Sequence, residues 1–543
     1  MKRFTALALT AFFAFLFFYF GMPVLNYGFI QLPAVLLVLC FIALLVTADI
    51  KYANNKTTIK RTVATRPLLW VMLILVAYMT IIPFFNSPLF RATDYRNLVG
   101  SVKNGTDIQH HITPLNIDKV RVVDEELAYL LGEKILGSDP ALGSKTELGD
   151  FTVQKVDGEL YWVAPLLHSG FFKWLNNREG TEGYVMVSAT NERDVKLVEN
   201  YKGQKMRIKY QPGAYFFTEL ERYLYFSGYA ATGLADYNFE IDDNGYPYWV
   251  VTKYEKTIGF SGNNATGVLV IDAQTGAIAD YGLNDIPAWV DRIQPQEFVE
   301  EQMNDWGEYV HGFWNFSNEN KLQITEGMTL VYGSNDRSYW YTGLTSVGAD
   351  ESAVGFVLVD TKTKQATYYN QAGATEYAAQ QSAQGKVQEK GYHASLPVPY
   401  TINGIPTYVM TLKDEGGLVK MYAMVSISDY TIVGVGNTMQ ETLMAYKNVY
   451  NMSGNRINPA QQAKKKELEG TVDRIQSDVK NGNSFYYFTI SGQDKIFIGS
   501  SQISNALPVT RPGDSIKITY DSDTDAVIDI SSFENRSVRE TVK

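Results

Sequence analysis

The sequence predicts an α+β protein in three parts: three N-terminal transmembrane helices, tandem units that each join a helix to an antiparallel sheet, and a small C-terminal β-barrel. Three observations lead to this prediction. Three apolar runs lie in the first ninety residues, a strand pattern recurs through the middle of the chain, and five short strands follow a polar linker near the end.

Length and composition bound the class of protein. A chain of 543 residues is long enough for about three to four domains, and 45% hydrophobic with 20% charged residues is typical of a folded chain. The 36 tyrosines favour β-rich layers, because Tyr combines β propensity with a polar tip. A formal net charge of -10 argues against a large nucleic-acid-binding surface, so we expect no nucleic-acid partner.

The membrane anchor is predicted at residues 1–88. Apolar runs at 4–20, 29–46 and 68–85 each have about the length needed to cross a hydrocarbon core of roughly 30 Å. Lysines and arginines precede the first run and fill the 49–67 loop, whereas the turn near 21–27 has none. The positive-inside rule therefore places the N-terminus and the 49–67 loop in the cytoplasm. The chain after residue 88 is predicted to be extracytoplasmic.

The predicted location is a bacterial cytoplasmic membrane. The single cysteine, Cys40, lies in the second apolar run, so the exported part has no disulfide framework, which indicates a bacterial source. The alternative for the first run is a cleaved signal peptide. Lys2 and Arg3 before an apolar run fit that alternative, but no clear small-x-small cleavage site follows.

A strand pattern repeats through the middle of the chain. Residues 267–281 and 355–369 share a glycine, an apolar run, an aspartate, a threonine and a closing tyrosine, and looser copies start at Gly183 and Lys420. Aromatic strands begin upstream of these copies, at spacings of 87, 91 and 69 residues, which is typical of a repeated supersecondary unit. They start at Tyr161, Tyr248, Tyr339 and Tyr408.

Each repeat is predicted to run from a helix through a strand, a tight turn and the aromatic strand to the glycine strand. Acidic residues at the first turn and apolar periodicity predict the helices, while Asp-Gly and Asn-Gly pairs predict the turns. The helices are expected at 120–136, 215–226, 295–306 and 374–387, with a closing helix near 439–450. The domains are unit 1 (89–200), unit 2 (201–285), unit 3 (286–372) and unit 4 with the closing helix (373–455).

Asp157-Gly158 with Tyr161-Trp162, Asn244-Gly245 with Tyr248-Trp249, and the segment 271–276 together resemble the PepSY family over roughly residues 118–436. The resemblance implies small exported modules. Some of these are inhibitory or chaperoning propeptides, and others are sensory or interaction parts of envelope proteins. The chain departs from that pattern in the long insertion at 284–334 and in lacking an attached protease domain. The whole chain is also similar to bacterial membrane proteins sometimes labelled cell-shape-determining.

The last module follows a polar linker at 456–467. Five predicted strands in 468–535 resemble the OB-fold, which serves oligonucleotides, oligosaccharides and proteins alike, and 536–543 is a polar tail. Four consecutive aromatic residues at 485–488 fit either a stacking face for a ligand or core packing. Core packing is favoured, because alternate strand residues point to opposite faces and half of the four would point inward.

The histidines and aspartates give no predicted metal site. His110 and His111 are adjacent, so their rings diverge and a metal would need ligands from elsewhere. The other histidines are isolated; they are His168, His311 and His393. The run 521–525 resembles the opening of a calcium loop but lacks the later Gly and Glu of an EF-hand, which favours a turn.

The repeated Asp272 and Asp360 are each followed three residues later by a threonine, a pattern typical of a hairpin turn rather than of a reactive group. The chain carries no His-Glu-x-x-His, phosphate-binding loop or serine-hydrolase motif. We therefore predict no catalytic, cofactor-binding or metal-binding residue.

One helix leaves an enzymatic interpretation open. Glu301, Asp305 and Glu308 share a helix face, which fits either carboxylates paired for acid catalysis on a glycan or a solvated surface, the interpretation that we favour. The aromatic excess around this helix fits either a sugar-binding platform or core packing. The tryptophans concerned are Trp289, Trp306, Trp314 and Trp340.

The predicted function is that of a membrane-anchored extracytoplasmic interaction or scaffold protein of the bacterial envelope, without enzymatic activity. Its expected partners are the membrane, in which it is integral, and either an envelope protein or further copies of itself. Two alternatives stay open: an envelope enzyme acting on glycan or peptidoglycan, and a regulator or inhibitor of an exported protease.

Overall fold

The computed structural model describes residues 2–537 apart from 48, 54–55, 61–64, 107, 109–110, 334–336, 349–351, 454–465, 481–482, 502 and 521–526. The chain forms two compact bodies, Met1–Gly454 and Asn455–Lys543. Taken together, the two bodies contain helices and mostly antiparallel strands, which confirms the predicted mixed α+β class. The linker at 456–467 and the tail at 536–543 fall largely outside the described residues.

A helix lies at each predicted membrane span. The elements are α1 (Lys2–Gly21), α2 (Gln31–Thr47), the hairpin of β1 (Asp49–Ala53) and β2 (Lys56–Lys60), and α3 (Thr65–Phe85). Among the described residues, α3 is the one helix long and apolar enough to cross a membrane, and Gln31–Leu45 is a shorter apolar helix. Crossing by all three helices stays a prediction.

The four repeats share one plan, a helix followed by a four-stranded antiparallel meander. After α4 (Pro88–Arg96) and β3 (Lys103–Gly105), unit 1 contains α5 (Glu125–Gly137), α6 (Pro140–Gly143), β4 (Thr146–Leu148), β5 (Thr152–Val156), β6 (Glu159–His168), α7 (Phe171–Asn176), β7 (Tyr184–Ser188) and β8 (Val195–Val198). Unit 2 contains α8 (Leu220–Leu224), β11 (Gly233–Ile241), β12 (Pro247–Ile258), β13 (Ser261–Asp272) and β14 (Ile278–Gly282), preceded by the short pair β9 (Asn200–Tyr201) and β10 (Gln204–Lys205).

Units 3 and 4 repeat the plan. Unit 3 contains α9 (Gln296–Glu308), β15 (Leu322–Ile324), β16 (Thr329–Tyr332), β17 (Ser338–Ser346), β18 (Ser352–Ala353), β19 (Gly355–Asp360) and β20 (Ala366–Tyr369). Unit 4 contains β21 (Gly373–Ala374), α10 (Glu376–Gly385), β22 (His393–Ala394), β23 (Val398–Ile402), β24 (Ile405–Lys413), β25 (Val419–Ser426), β26 (Val433–Gly436) and the closing helix α11 (Met439–Met452). The meanders run β5-β6-β7-β8, β11-β12-β13-β14, β16-β17-β19-β20 and β23-β24-β25-β26.

The same backbone contact ties the start of each unit to its sheet. The residue just after the third meander strand accepts hydrogen bonds, through its carbonyl, from the segment that precedes the unit's helix. Ala189 O accepts from Val122 N (2.9 Å) and Val123 N (3.0 Å), Ala273 O from Lys209 N (2.9 Å) and Tyr210 N (3.0 Å), Thr361 O from Ile293 N (3.1 Å) and Gln294 N (2.9 Å), and Ile427 O from Ala374 N (2.6 Å). A contact that recurs in all four units is structural support for the repeat.

A buried aromatic side chain completes that contact in each unit. The indole Nε1 of Trp162 donates to Val123 O at 2.8 Å, Trp249 to Tyr210 O at 2.8 Å, and Trp340 to Gln294 O at 2.9 Å, while Tyr408 Oη donates to Ala374 O at 3.4 Å. Tyr408 therefore takes the tryptophan position. The sequence comparison placed Tyr408 at the position of Tyr161, which is wrong by one residue. Ser188 lies opposite Tyr161, whereas the matching Ser426 lies opposite Thr407, so Thr407 matches Tyr161 and Tyr408 matches Trp162.

The helix predicted over 215–226 is interrupted. A 3-10 turn at Phe216–Thr218 precedes the short helix α8, and a π-helical turn follows at Tyr225–Tyr229. The Glu219 carboxylate accepts hydrogen bonds from Glu221 N and Arg222 N at 3.0 Å, so it caps a helix that starts only at residue 220. Phe216 takes a positive φ of 57°, which breaks the helix before this cap.

The segment between α4 and α5 joins sheets that are distant in sequence. Strand β3 pairs in parallel with β20 of unit 3, and isolated bridges link Ile112 to Gly333 and Pro114 to Thr401. Apolar cores are likewise shared, since one contains Trp162 with Trp340 and another contains Tyr341 with Tyr408. The four units therefore pack as one body, not as independent modules.

The second body contains a closed five-stranded barrel. Its strands are β27 (Lys466–Lys480), β28 (Asn483–Ile490), β29 (Ile496–Ser500), β30 (Ser515–Tyr520) and β31 (Val527–Asn535), in the order β27-β28-β29-β31-β30. Phe488 is buried in the barrel core and Tyr486 packs against it, whereas Phe485 and Tyr487 alternate with them along β28. This matches the prediction that half of the aromatic run points inward.

Candidate functional site

A cleft of about 740 Å³ lies between units 1, 3 and 4. Its wall begins with the segment 121–126, which leads into α5, and continues through Trp162 of unit 1, Trp340 of unit 3 and Leu396 of unit 4. This volume lies within the range of about 300–1,000 Å³ that is typical of ligand sites. We call it the central cleft.

Arg121 forms one wall of the central cleft. Its guanidinium lies over the ring of Trp162, with Cζ 5.7 Å from the ring centroid, and Nη1 donates to Leu330 O at 3.0 Å. Its backbone N donates to Tyr400 Oη at 3.0 Å. Burial lowers the pKa of Arg121, an effect that nearby Tyr400 and Asp124 oppose. Arg121 thus links units 1, 3 and 4 at the wall of the cleft.

A buried lysine of unit 4 anchors the start of α5. Lys413 of β24 donates to Asp124 Oδ2 at 2.7 Å and to a carboxylate oxygen of Glu126. Burial lowers the pKa of Lys413, but the hydrogen bonds to the two carboxylates more than offset this and raise it overall. Asp124 also caps α5 by accepting from Leu127 N at 3.0 Å. These two carboxylates are therefore already paired.

Glu125 and Asp150 add two further carboxylates to the lining. Partial burial raises the pKa of Glu125, and the nearby charge of Asp150 raises it further, while Arg292 opposes both. Arg292 donates to Asn238 Oδ1 at 3.1 Å and, like Glu125 and Asp150, also lines an adjoining cavity of about 530 Å³. Four carboxylates against two arginines and Lys413, which binds two of them, leave one negative charge in excess.

The mouth of the cleft is apolar. Tyr129 and Leu130 on α5 and Leu396 of unit 4 line it, and Leu396 is 48% exposed. Exposed large apolar side chains grouped at the opening of a cavity are typical of a binding surface, because a partner would remove them from water. The central cleft therefore combines an apolar mouth with aromatic walls and a lining rich in carboxylates.

A buried carboxyl lies near the adjoining cavity. Glu240 on β11 is 1% exposed. Burial raises its pKa to about 8; the charge of Arg292 lowers it and that of Asp291 raises it. Asp291 accepts hydrogen bonds from Lys155 N at 3.1 Å and Tyr332 Oη at 3.0 Å. Glu240 therefore holds its proton near neutral pH.

The described histidines lie in separate places. His111 is exposed beside Tyr369, His311 is exposed with Nε2 3.2 Å from Asn320 Nδ2, and His393 is exposed at the start of β22. His168 is buried, and burial lowers its pKa. His110 and the 521–525 run lie outside the described residues. Within the described chain, no group of three or more His, Cys, Asp or Glu side chains is placed to hold a metal ion.

The acidic face of α9 does not line any cavity described above. Glu301 is exposed, and Glu308 pairs with Lys321 at 2.6 Å. Burial raises the pKa of Asp305 to about 7, and the neighbouring charges of Glu301 and Glu308 add to this. The carboxylates of the enzymatic alternative thus lie on a helix surface.

The two repeated aspartates make turn contacts. Asp272 Oδ1 accepts from Gln274 N at 2.8 Å and Thr275 N at 3.0 Å, and Asp360 Oδ1 accepts from Lys362 N and Thr363 N at 3.1 and 2.7 Å. The four tryptophans of the proposed sugar platform occupy different settings. Trp289 stacks on Tyr248, Trp306 lies against Tyr368, Trp314 is exposed, and Trp340 is buried.

Sequence reasoning missed the central cleft. Its charged residues come from segments that are far apart in the chain, and the sequence singled out only the acids at the start of a helix, Asp124, Glu125 and Glu126. Comparison with models of known protein families and with curated proteins found no match for this chain.

Proposed function

We propose that this protein is a membrane-anchored extracytoplasmic interaction protein of the bacterial envelope that binds a segment of a partner protein in the central cleft. The observation that carries this proposal is the cleft itself, a preformed cavity whose apolar mouth and charged rim are built from three units at once. Arg121 and Lys413 hold those units together around it.

Contacts at the membrane end support the proposed topology. The turn between α1 and α2 docks on unit 2, where Leu25 N donates to Ala230 O at 2.7 Å and Asn26 Nδ2 to Ala231 O at 3.0 Å. In α3, Tyr78 contacts Phe260 of unit 2, with ring centroids 5.5 Å apart. The α1–α2 turn and the outer part of α3 therefore lie on the ectodomain side. This arrangement agrees with a cytoplasmic N-terminus and a cytoplasmic 49–67 loop.

The lining suggests the chemistry of the bound segment. An apolar side chain would fill the mouth at Leu130 and Leu396, removing exposed carbon surface from water. A lysine or arginine beside it would lie against Glu125 and Asp150, the two lining carboxylates that Lys413 does not bind. We therefore propose an extended segment with an apolar anchor next to a basic residue.

The identities of the modules belong to the same proposal. The helix-plus-meander plan and the tight turns at Asp157-Gly158 and Asn403-Gly404, all four residues with positive φ, support PepSY-like units. The closed five-stranded barrel supports an OB-like module. The surface position of the α9 carboxylates gives no support to glycan hydrolysis, so we do not propose an enzyme.

The experiment is in-cell crosslinking of the full-length protein followed by affinity capture and mass spectrometry, with wild type compared to Leu396→Arg. Leu283→Arg is the matched control, because Leu283 is 44% exposed but does not line the cleft. We expect one protein to be captured by wild type and the control, and lost with Leu396→Arg. Equal capture by all three would reject the cleft as the binding site. If the captured partner is an exported protease whose activity falls when it is bound, then the protein described here is a regulator of that protease.

A further inference from the structure

Two exposed aromatic patches lie next to the ends of the apolar helices. Patch 1 contains Phe171, Phe172, Phe216, Phe217 and Phe226 of units 1 and 2. Patch 2 contains Phe313, Trp314 and Phe316, in the loop after α9. Phe172 is 74% exposed and Phe316 is 73% exposed, which is costly in water for side chains of this size.

Patch 1 is continuous with the last turn of α1. The ring of Tyr19 lies 5.8 Å from that of Phe217 and 6.2 Å from that of Phe226, and the Arg222 guanidinium lies over Tyr19 at 4.5 Å. Arg222 Nε also donates to Tyr19 O at 3.0 Å. These contacts fix the patch to the end of the helix.

The aromatic surface extends outward from Phe217. Its neighbour Phe216 has the strained φ of 57° and contacts Trp174, with ring centroids 5.4 Å apart, and Phe171, at 6.4 Å. Phe171 in turn contacts Phe172 at 5.5 Å. Backbone strain that holds a phenylalanine in a solvent-exposed position costs free energy. We therefore expect the side chain to meet an environment that compensates for this cost.

Patch 2 is tied to the end of α3. Helix α4 begins three residues after α3 ends, and its Arg96 lies over the ring of Trp306 on α9 at 5.2 Å. Tyr95 of α4 contacts Tyr309, with ring centroids 6.2 Å apart, and patch 2 begins four residues later. Phe90 of α4 packs against Phe84 and Phe85 in the last turn of α3. Both patches therefore adjoin the ectodomain ends of helices.

We propose that patches 1 and 2 insert into the outer interface of the membrane that anchors the protein, so that the ectodomain lies against the lipid surface. Aromatic side chains favour the boundary between hydrocarbon and headgroups. Basic side chains beside patch 1 suit lipid phosphates: Lys173 is exposed, and Arg178 lies over Trp174 at 5.3 Å. Nearby Glu219 is paired with Arg222 at 3.3 Å, so it does not cancel them.

A lipid surface is favoured over a protein partner because the two patches occupy separate units and share only their attachment to the ends of α1 and α3. One plane at those helix ends would cover both. The inference rests on the proposed membrane anchorage and adds the orientation of the ectodomain to it.

The test is spin-label depth measurement on the full-length protein in liposomes of phosphatidylethanolamine and phosphatidylglycerol. In a Cys40→Ala background, single labels replace Phe172, Phe316, Val76 on α3, and Tyr377 on α10, an exposed residue outside both patches. We expect the labels at 172 and 316 to collide with oxygen at least threefold more, relative to a water-soluble nickel chelate, than the label at 377. A ratio equal to that at 377 would overturn the inference.

The label at Val76 separates the two proposals. If the label at 76 lies in the lipid while those at 172 and 316 lie in water, membrane insertion of the patches is rejected and the membrane anchor is retained. If the label at 76 also lies in water, both proposals are rejected. Quenching by brominated lipid gives a second measurement that needs no label: wild type is expected to lose more tryptophan fluorescence than Trp314→Phe. Equal fractional quenching of the two would contradict insertion of patch 2.

Discussion

The guanidinium of Arg121 lies over the indole of Trp162, with Cζ 5.7 Å from the ring centroid, and its Nη1 donates to the carbonyl of Leu330 at 3.0 Å. This side chain joins the segment before α5 to strand β16 of unit 3. Arg121 therefore stabilises the contact between units 1 and 3 at the wall of the central cleft, because its loss leaves a carbonyl and an aromatic face without their partner.

Arg121→Ala is expected to lower the free energy of unfolding of the protein by about 2 kcal/mol, since a charged hydrogen bond and a cation–π contact are lost together. Urea unfolding of the detergent-solubilised protein, followed by far-UV circular dichroism, measures the change. Arg193→Ala, at an exposed position, is the control and should change stability by less than about 0.5 kcal/mol. Equal effects of the two substitutions would mean that Arg121 does not join the units.

The repeated indole contact predicts a series. Trp162→Phe, Trp249→Phe and Trp340→Phe each remove a donor to a carbonyl before the unit's helix, so each should cost about 2 kcal/mol of unfolding free energy. Tyr408→Phe should cost a similar amount, about 2 kcal/mol. Its bond to Ala374 O is long at 3.4 Å, but its hydroxyl is also hydrogen-bonded to the buried Tyr341 Oη at 3.0 Å, and that bond is lost as well.

Trp314→Phe is the control for this series, since Trp314 is 68% exposed and should tolerate the change. The same urea titration applies to all five variants. A result in which the buried tryptophans tolerate phenylalanine as well as position 314 does would remove the indole contact from the account of the repeat.

The buried carboxyl of Glu240 predicts a pH dependence. Its pKa of about 8 lies above the ordinary value of 4.5, so the folded state binds the proton more tightly than the unfolded state does. Stability contributed by the neutral acid is complete below about pH 4.5 and is lost as the pH rises toward 8, where the ionised form is buried. Asp291, Arg292 and Asp236 are the charged neighbours that set this balance.

Glu240→Gln keeps the shape and stays neutral, so it should remove that loss. The variant is expected to match wild type near pH 5 and to exceed it by about 2–4 kcal/mol at pH 8.5, since each pKa unit corresponds to about 1.4 kcal/mol. Thermal unfolding across this pH range measures the difference. Glu255→Gln, on the exposed side of β12, is the control, and a parallel pH profile for wild type and Glu240→Gln would refute the assignment.

Helix α11 packs directly on β26 at a glycine. A Cβ added to Gly434 would lie 2.2 Å from the backbone N of Tyr446, and backbone has little room to move. Gly434→Ala should therefore destabilise the protein by about 3 kcal/mol and expose α11 to proteolysis. Gly385→Ala, at the end of α10 where a Cβ meets nothing within 4 Å, should be neutral or slightly stabilising. Limited proteolysis and urea unfolding distinguish the two.

The sequence predicted those elements whose signals are local. Helices α5 and α10 follow capping residues, since Asp124 accepts from Leu127 N and Thr375 from Ala378 N, and their apolar periodicity is regular. The turn at Asp157-Gly158 was predicted because both residues readily take the positive φ that a tight hairpin needs. Local chemistry decides these features, so one sequence suffices.

Other features depend on contacts between distant segments. Strand β3 pairs with β20 more than 260 residues later in the sequence, and no local pattern predicts that partner. The interruption near Phe216 arises where aromatic side chains pack on Tyr19 of α1, which overrides the helical periodicity of 215–226. The central cleft has the same origin, because Arg121, Trp340 and Leu396 meet only when three units pack together.

Site-specific photocrosslinking in cells tests the central claim most directly. A benzophenone amino acid replaces Leu396 at the cleft mouth or, as the control, Leu283, and adducts of the full-length protein are identified by mass spectrometry. We expect a discrete protein adduct at 396 that is absent at 283 and maps to an apolar residue next to a lysine or arginine in the partner. The absence of an adduct at 396, or the same adducts at both positions, would contradict partner binding in the central cleft.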